Sequence, residues 1–129
     1  MKNLTVLLKS ILLIAVAIVF TASTTRAQDM AKVATKNVKV LLDNEEVRVL
    51  DVQAKPGDKL PMHSHPANIV YAISAGKWKT MFPDGTSRDI EAKAGEARWS
   101  DAVTHANEAL TETHVLVIEL KQSKMMKKK

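Results

Sequence analysis

The chain has 129 residues, no cysteine and a formal net charge of +5, which allows one compact domain with a modest core and excludes disulfides, a thiolate nucleophile and cysteine-ligated zinc. The positive charge sits at the two ends: between Gln28 and Leu120, eleven basic residues stand against fourteen acidic ones, a balance of −3. That balance lacks the electrostatic footprint of a nucleic-acid groove, so no nucleic-acid partner is expected.

At the N-terminus, Lys2 and Lys9 lead into an apolar run from Ile11 to Phe20, and a polar stretch then ends in Thr25-Arg26-Ala27. The run is shorter than the roughly 20 residues that span a bilayer, and Thr25 and Ala27 occupy the positions of small residues before a cleavage site. The pattern predicts a signal peptide over residues 1–27 and a mature chain from Gln28, periplasmic or secreted and without a transmembrane segment. An uncleaved anchor helix counted from Leu4 is the alternative. No cysteine follows the apolar run, so a lipid-anchored terminus is excluded.

Residues 28–37 carry no sustained period and read as a flexible arm. From Val38 onward, short β-branched runs alternate with turn signals, the pattern of an all-β sandwich or barrel. Val38–Leu42 and Val47–Val52 are the first strands, with Asp43-Asn44-Glu45 between them. Ile69–Ser74, Lys77–Phe82, Ser87–Glu91, Ala97–Trp99, His105–Ala109 and Thr113–Leu120 follow, about eight strands in all. Gly57, Gly76, Gly85 and Gly95 fall at the turns, and Pro83-Asp84-Gly85 marks a hairpin. Residues 121–129 (KQSKMMKKK) have too little apolar surface to order and read as a disordered tail, either solubilising or drawn to an anionic surface.

His63-Ser64-His65 sets two imidazoles two positions apart, so on an extended chain both project to one side and can chelate a single ion. A third ligand must come from elsewhere in the fold, and His105, after the turn-like Ser100–Thr104, is the natural candidate. Neutral imidazole suits iron, zinc, manganese, nickel or copper.

At these residues the chain resembles the cupin family. The first family motif runs Gly, five residues, His-x-His, three or four residues, Glu, six residues, Gly. Gly57, His63, His65 and Gly76 reproduce its spacing, while Ile69 or, on the longer count, Val70 stands at the glutamate. The second motif runs Gly, five residues, Pro-x-Gly, two residues, His, three residues, Asn. Here Gly95, Asp101, Val103, His105 and Ala109 follow that order one residue short. The resemblance covers Val38–Leu120 and implies a single-domain, jelly-roll-like β-barrel. Carried over residue by residue, its ligands are His63, His65 and His105 with no carboxylate, which looks like the three-histidine variant of cupin thiol dioxygenases. The other outcome is a barrel that has lost its metal and keeps the histidines as hydrogen-bond donors.

Several further residues are pocket candidates. Ile69 stands at the glutamate position; Tyr71, Trp78 and Trp99 are core aromatics or walls for a small organic ligand. Asn107 shares the phase of His105 and either orients a ligand or is a satisfied core amide. His114 is either a core or rim histidine or a fourth ligand, placed in phase with Leu116, Ile118 and Leu120. Arg48 and Arg98 either meet a ligand carboxylate or form outward salt bridges. GxSxG, GxGxxG, phosphate-binding glycine loops and HExxH are all absent, which removes serine hydrolases, nucleotide enzymes and zincins. The remaining expectations are metal-dependent chemistry on a small molecule, whether dioxygenase-like or Lewis-acid, a non-catalytic binding barrel, and a homodimer paired through strand edges.

Overall fold

The structure, a computed structural model, describes residues 28–122. The expected signal peptide and residues 123–129 of the expected tail lie outside the described residues. Among the described residues there are nine strands: β1 (Val38–Asp43), β2 (Val47–Ala54), β3 (Lys59–His65), β4 (Asn68–Ala72), β5 (Gly76–Met81), β6 (Ser87–Ala92), β7 (Ala97–Ser100), β8 (Val103–Ala109) and β9 (Thr113–Leu120). They form a five-stranded sheet in the order β1-β2-β9-β4-β7 and a four-stranded sheet in the order β3-β8-β5-β6. Every pairing is antiparallel.

The strand missing from the sequence reading is β3. Its alternation is broken because the register against β8 slips between Leu60, opposite Asn107, and His63, opposite His105. The extra residue falls at Pro61-Met62, where proline has no N–H to give to a ladder. Both residues are exposed, while Leu60, His63 and His65 are buried. The bulge therefore brings the His-x-His pair onto the inner face together with Leu60, at a spacing that a regular strand would send to opposite faces.

Leu50 and Val52 of β2, Val115 and Val117 of β9 and Leu60 of β3 build the core. Burying each such side chain contributes on the order of 2 kcal/mol. Gly76 is required at a crossing, because a Cβ there would overlap the side chain of Thr113.

Residues 28–37, expected as a flexible arm, are packed on this core. Met30–Val33 form a one-turn helix, α1, with Asp29 as its N-cap accepting from the Ala31 amide at 3.0 Å. Met30 and Ala34 are 3% and 5% exposed. These two apolar positions make a single turn of amphipathic spacing, too short to register as a period but sufficient to dock. At the other end of the domain, Lys121 is engaged by Asp43 and by the Asn44 carbonyl. Among the described residues no helix is long and apolar enough to cross a membrane.

Candidate metal centre

The β3–β8 register sets His105 directly across from His63, with His65 two residues further along the same face. Directly paired residues on one face have Cβ atoms about 5 Å apart. The three imidazoles accordingly meet, with ring centroids 4.9 Å apart for His63–His65, 4.8 Å for His63–His105 and 5.4 Å for His65–His105. One nitrogen from each lies within 4.8 Å of the others, so the group can hold a metal ion.

On His63 and His65 the remaining nitrogen is already engaged. His63 Nδ1 lies 2.6 Å from the Pro61 carbonyl oxygen, which can only accept, so Nδ1 carries the proton and Nε2 the lone pair. That Nε2 is buried and has no hydrogen-bond partner. His65 Nδ1 donates to Glu119 Oε1 at 2.7 Å, which fixes its lone pair on Nε2 in the same way. An imidazole anchored through one nitrogen, with the other bare, is the arrangement metal-binding histidines adopt. The pattern fits a divalent ion better than a hydrogen-bonding cluster, because an orphaned acceptor in the core costs about 1–3 kcal/mol.

Electrostatics keep the group receptive. Burial, reinforced by His63 and His65 nearby, pushes His105 down to about 3. Burial also lowers His63, against the opposing pull of the Pro61 carbonyl. Both rings are therefore neutral at ordinary pH, with little competition from protons.

Behind His65 lies a carboxylate that the family spacing did not locate. Glu119, with its side chain 3% exposed, accepts from His65 and, through Oε2, from Arg48 Nε at 2.7 Å. Burial pushes its carboxyl up, but the hydrogen bonds from His65 and Arg48 outweigh it and hold Glu119 below its ordinary value. Arg48 also grips Asp29 with both Nη groups, at 2.7 and 2.9 Å. This pairing lowers Asp29 and raises Arg48. Arg48 thus points inward but is spent on two carboxylates. The signal for Glu119 was its phase: it shares a face with Val115 and Val117, and the structure turns that face inward.

The same phase corrects His114. In β9 the buried positions are Thr113, Val115, Val117 and Glu119. His114, with Leu116, Ile118 and Leu120, therefore takes the other face. It meets Asp51 at 2.5 Å there and is not a fourth ligand.

Beside the imidazoles lies a cavity of about 130 Å³. Trp78 and Asn107 line it together with His65, His105, Met30 and Val117. Asn107 donates from Nδ2 to Thr80 Oγ1 at 2.9 Å. Ile69 and Tyr71 do not reach it. Val70 is registered against the inward Val117, so its neighbours Ile69 and Tyr71 face out with Ile118 and Leu116. Val70, the other candidate for the missing glutamate, lines the cavity as an apolar wall, and Asn68, 2% exposed, joins it there. Trp99 is registered against Ile69, is 59% exposed and borders an adjoining groove rather than the cavity. Arg98 pairs with the neighbouring Glu96 at 2.6 Å.

No family model matches the sequence, and no curated protein matches it. Solved structures do. A cupin domain from Bordetella pertussis Tohama I is similar, with 26% identity, a TM-score of 0.60, and coverage of 66% of this chain and 92% of that one. A cupin superfamily protein from Desulfitobacterium hafniense DCB-2 is 14% identical with a TM-score of 0.53, covering 66% of this chain and 76% of its own. An RmlC-like cupin protein from Desulfovibrio desulfuricans is 18% identical with a TM-score of 0.50, covering 78% and 94% respectively.

Proposed function

We propose that this chain, a member of the cupin superfamily, holds a divalent transition metal on His63, His65 and His105 and uses it to bind and transform a small uncharged organic molecule. The observation that carries this reading is the bare, buried Nε2 of His63, held toward the imidazoles of His65 and His105. A three-histidine ion supplies Lewis acidity and open coordination positions. The protein's own groups do the rest: the apolar walls exclude water, and Asn107 and Asn68 orient the ligand. Iron would suit a dioxygenase-like reaction, and zinc or manganese a hydrolytic or isomerising one.

The cavity sets the ligand's class. Among the described residues no Lys, Arg, Asp or Glu lines it, so a ligand's charge would find no counter-charge other than the ion. A cavity of about 150 Å³ accommodates benzene, so the body that enters is of that size. The matching experiment is to purify the exported protein without added metal or chelator and count transition metals per subunit by mass spectrometry. Near-stoichiometric metal, lost in His63→Ala and His105→Ala, is the expected result; negligible metal even after reloading would rule the centre out.

A second reading, binding without turnover, is favoured by the lack, among the described residues, of any carboxylate lining the cavity to move a proton. Conversion of candidate uncharged substrates by the metal-loaded protein, compared with His63→Ala, separates the two.

The leader supports export, to be checked by finding Gln28 at the mature N-terminus. The outer face of the five-stranded sheet supports a homodimer more than the strand edges do. Leu42, Val49, Ile118, Ile69 and Trp99 form one cross-strand row over all five strands, with Leu42 and Trp99 48% and 59% exposed. Trp99→Glu is expected to shift the mature protein from dimer to monomer in light scattering.

A further inference from the structure

We infer that the N-terminal segment Asp29–Ala34 is a working part of the metal centre, with Asp29 acting through Arg48 and Glu119 as a positioning residue for His65. This rests on the three-histidine metal reading. Four hydrogen bonds run in an unbroken series: Asp29 Oδ2 and Oδ1 to the two Arg48 Nη groups at 2.7 and 2.9 Å, Arg48 Nε to Glu119 Oε2 at 2.7 Å, and Glu119 Oε1 to His65 Nδ1 at 2.7 Å. The side chains of Arg48, Glu119 and His65 are 16%, 3% and 4% exposed, so water competes little for any of these groups.

Two further contacts tie the segment to the site. The Gln28 carbonyl accepts from the amide of Ser64, between the two histidines of the pair, at 2.9 Å. Met30, 3% exposed, forms part of the cavity wall.

The series works by dividing the guanidinium. Asp29 holds both Nη groups and so fixes the guanidinium in the orientation that turns Nε to Glu119 Oε2, while Oε1 accepts from His65. Without Asp29, the unpaired Nη groups stand beside a buried carboxylate, and the two-pronged fork is the geometry arginine prefers. Glu119 Oε1 is then drawn from His65, whose tautomer and ring orientation lose their anchor. By linkage, whatever docking contributes to metal affinity the metal returns to docking.

The test uses Asp29→Asn and Arg48→Lys in the mature chain. Asparagine keeps an oxygen for the Ala31 amide, so the start of α1 survives while the charged pairing is lost. Zinc affinity, measured by competition with a chromophoric chelator, is expected to fall about tenfold in both variants. In metal-free protein, the His65 Nδ1–H resonance and its tautomer-specific nitrogen shifts are expected in the wild type and lost in the variants. Zinc is expected to raise hydrogen-exchange protection of the Ala34 and Val38 amides, which donate to the Met30 and Ala34 carbonyls. Wild-type zinc affinity in both variants, unchanged His65 signals, or protection indifferent to zinc would each overturn the inference. If even the wild type fails to bind zinc, the metal reading falls by itself, and the His65 signal still decides whether Asp29 positions that ring.

Discussion

Strand β9 carries a histidine–carboxylate contact on each of its faces, and the two serve different ends. On the inner face Glu119 meets His65 at 2.7 Å, with both side chains almost fully buried. On the outer face His114 meets Asp51 at 2.5 Å, with side chains 34% and 17% exposed. The chemistry is the same, but the surroundings differ. Outside, water competes for both groups and the pair is worth little. Inside, the carboxylate fixes which imidazole nitrogen is bare, is itself held by Arg48, and cannot be removed without leaving a charge in the core. Environment therefore separates a surface contact from one that orients a buried imidazole of the candidate metal site.

The sharpest way to break the inner member is Glu119→Ala. Arg48 keeps Asp29 but loses its buried partner, and His65 loses its anchor. Stability should fall by about 3 kcal/mol in denaturant unfolding, and metal affinity should fall 10–100-fold by titration. Wild-type affinity in that variant would reduce Glu119 to a structural ion pair.

The next prediction concerns pH. His63 and His105 are held below the ordinary imidazole value of about 6.5. The unfolded chain therefore takes up protons on these groups before the folded one does. The stability they contribute is present above about pH 6.5 and is lost as pH falls from there toward their folded values, about 3 for His105. Metal-free protein should accordingly unfold at progressively lower temperature between those limits, and loaded protein should resist the trend because the ion holds the neutral rings. A melting temperature flat from pH 7 to 4 in the metal-free protein would contradict this.

The smallest effect belongs to the outer pair. His114→Ala should cost less than about 1 kcal/mol and leave metal affinity unchanged. A measurable loss of metal in this variant would mean that the two faces of β9 are coupled.

Much of the site was legible before folding. The His-x-His spacing declares a shared face on any extended strand, and the separation of His105 needed only that β3 and β8 be neighbours. Alternation set Asn107 in phase with His105, and Trp78 was open between core aromatic and pocket wall; both border the cavity. Ile69, Tyr71 and His114 went the other way for a single reason: in a strand whose two faces are both largely apolar, alternation defines two sets but not which set is inside. In β9 the outer residues Leu116, Ile118 and Leu120 are as apolar as the inner Val115 and Val117, so the hydrophobic pattern could not break the tie.

The sequence by itself determined the strand-rich domain from Val38 to Leu120, its turns, and three histidines spaced for one ion, because side-chain period and turn chemistry are local properties. The tertiary structure decided the rest. It placed the one-residue slip at Pro61-Met62 that carries both histidines inward, turned Glu119 rather than His114 toward them, and joined Asp29 to Arg48 across nineteen positions of chain. Those choices depend on which strand lies against which and in what register, and register is fixed only when two faces compete for one core.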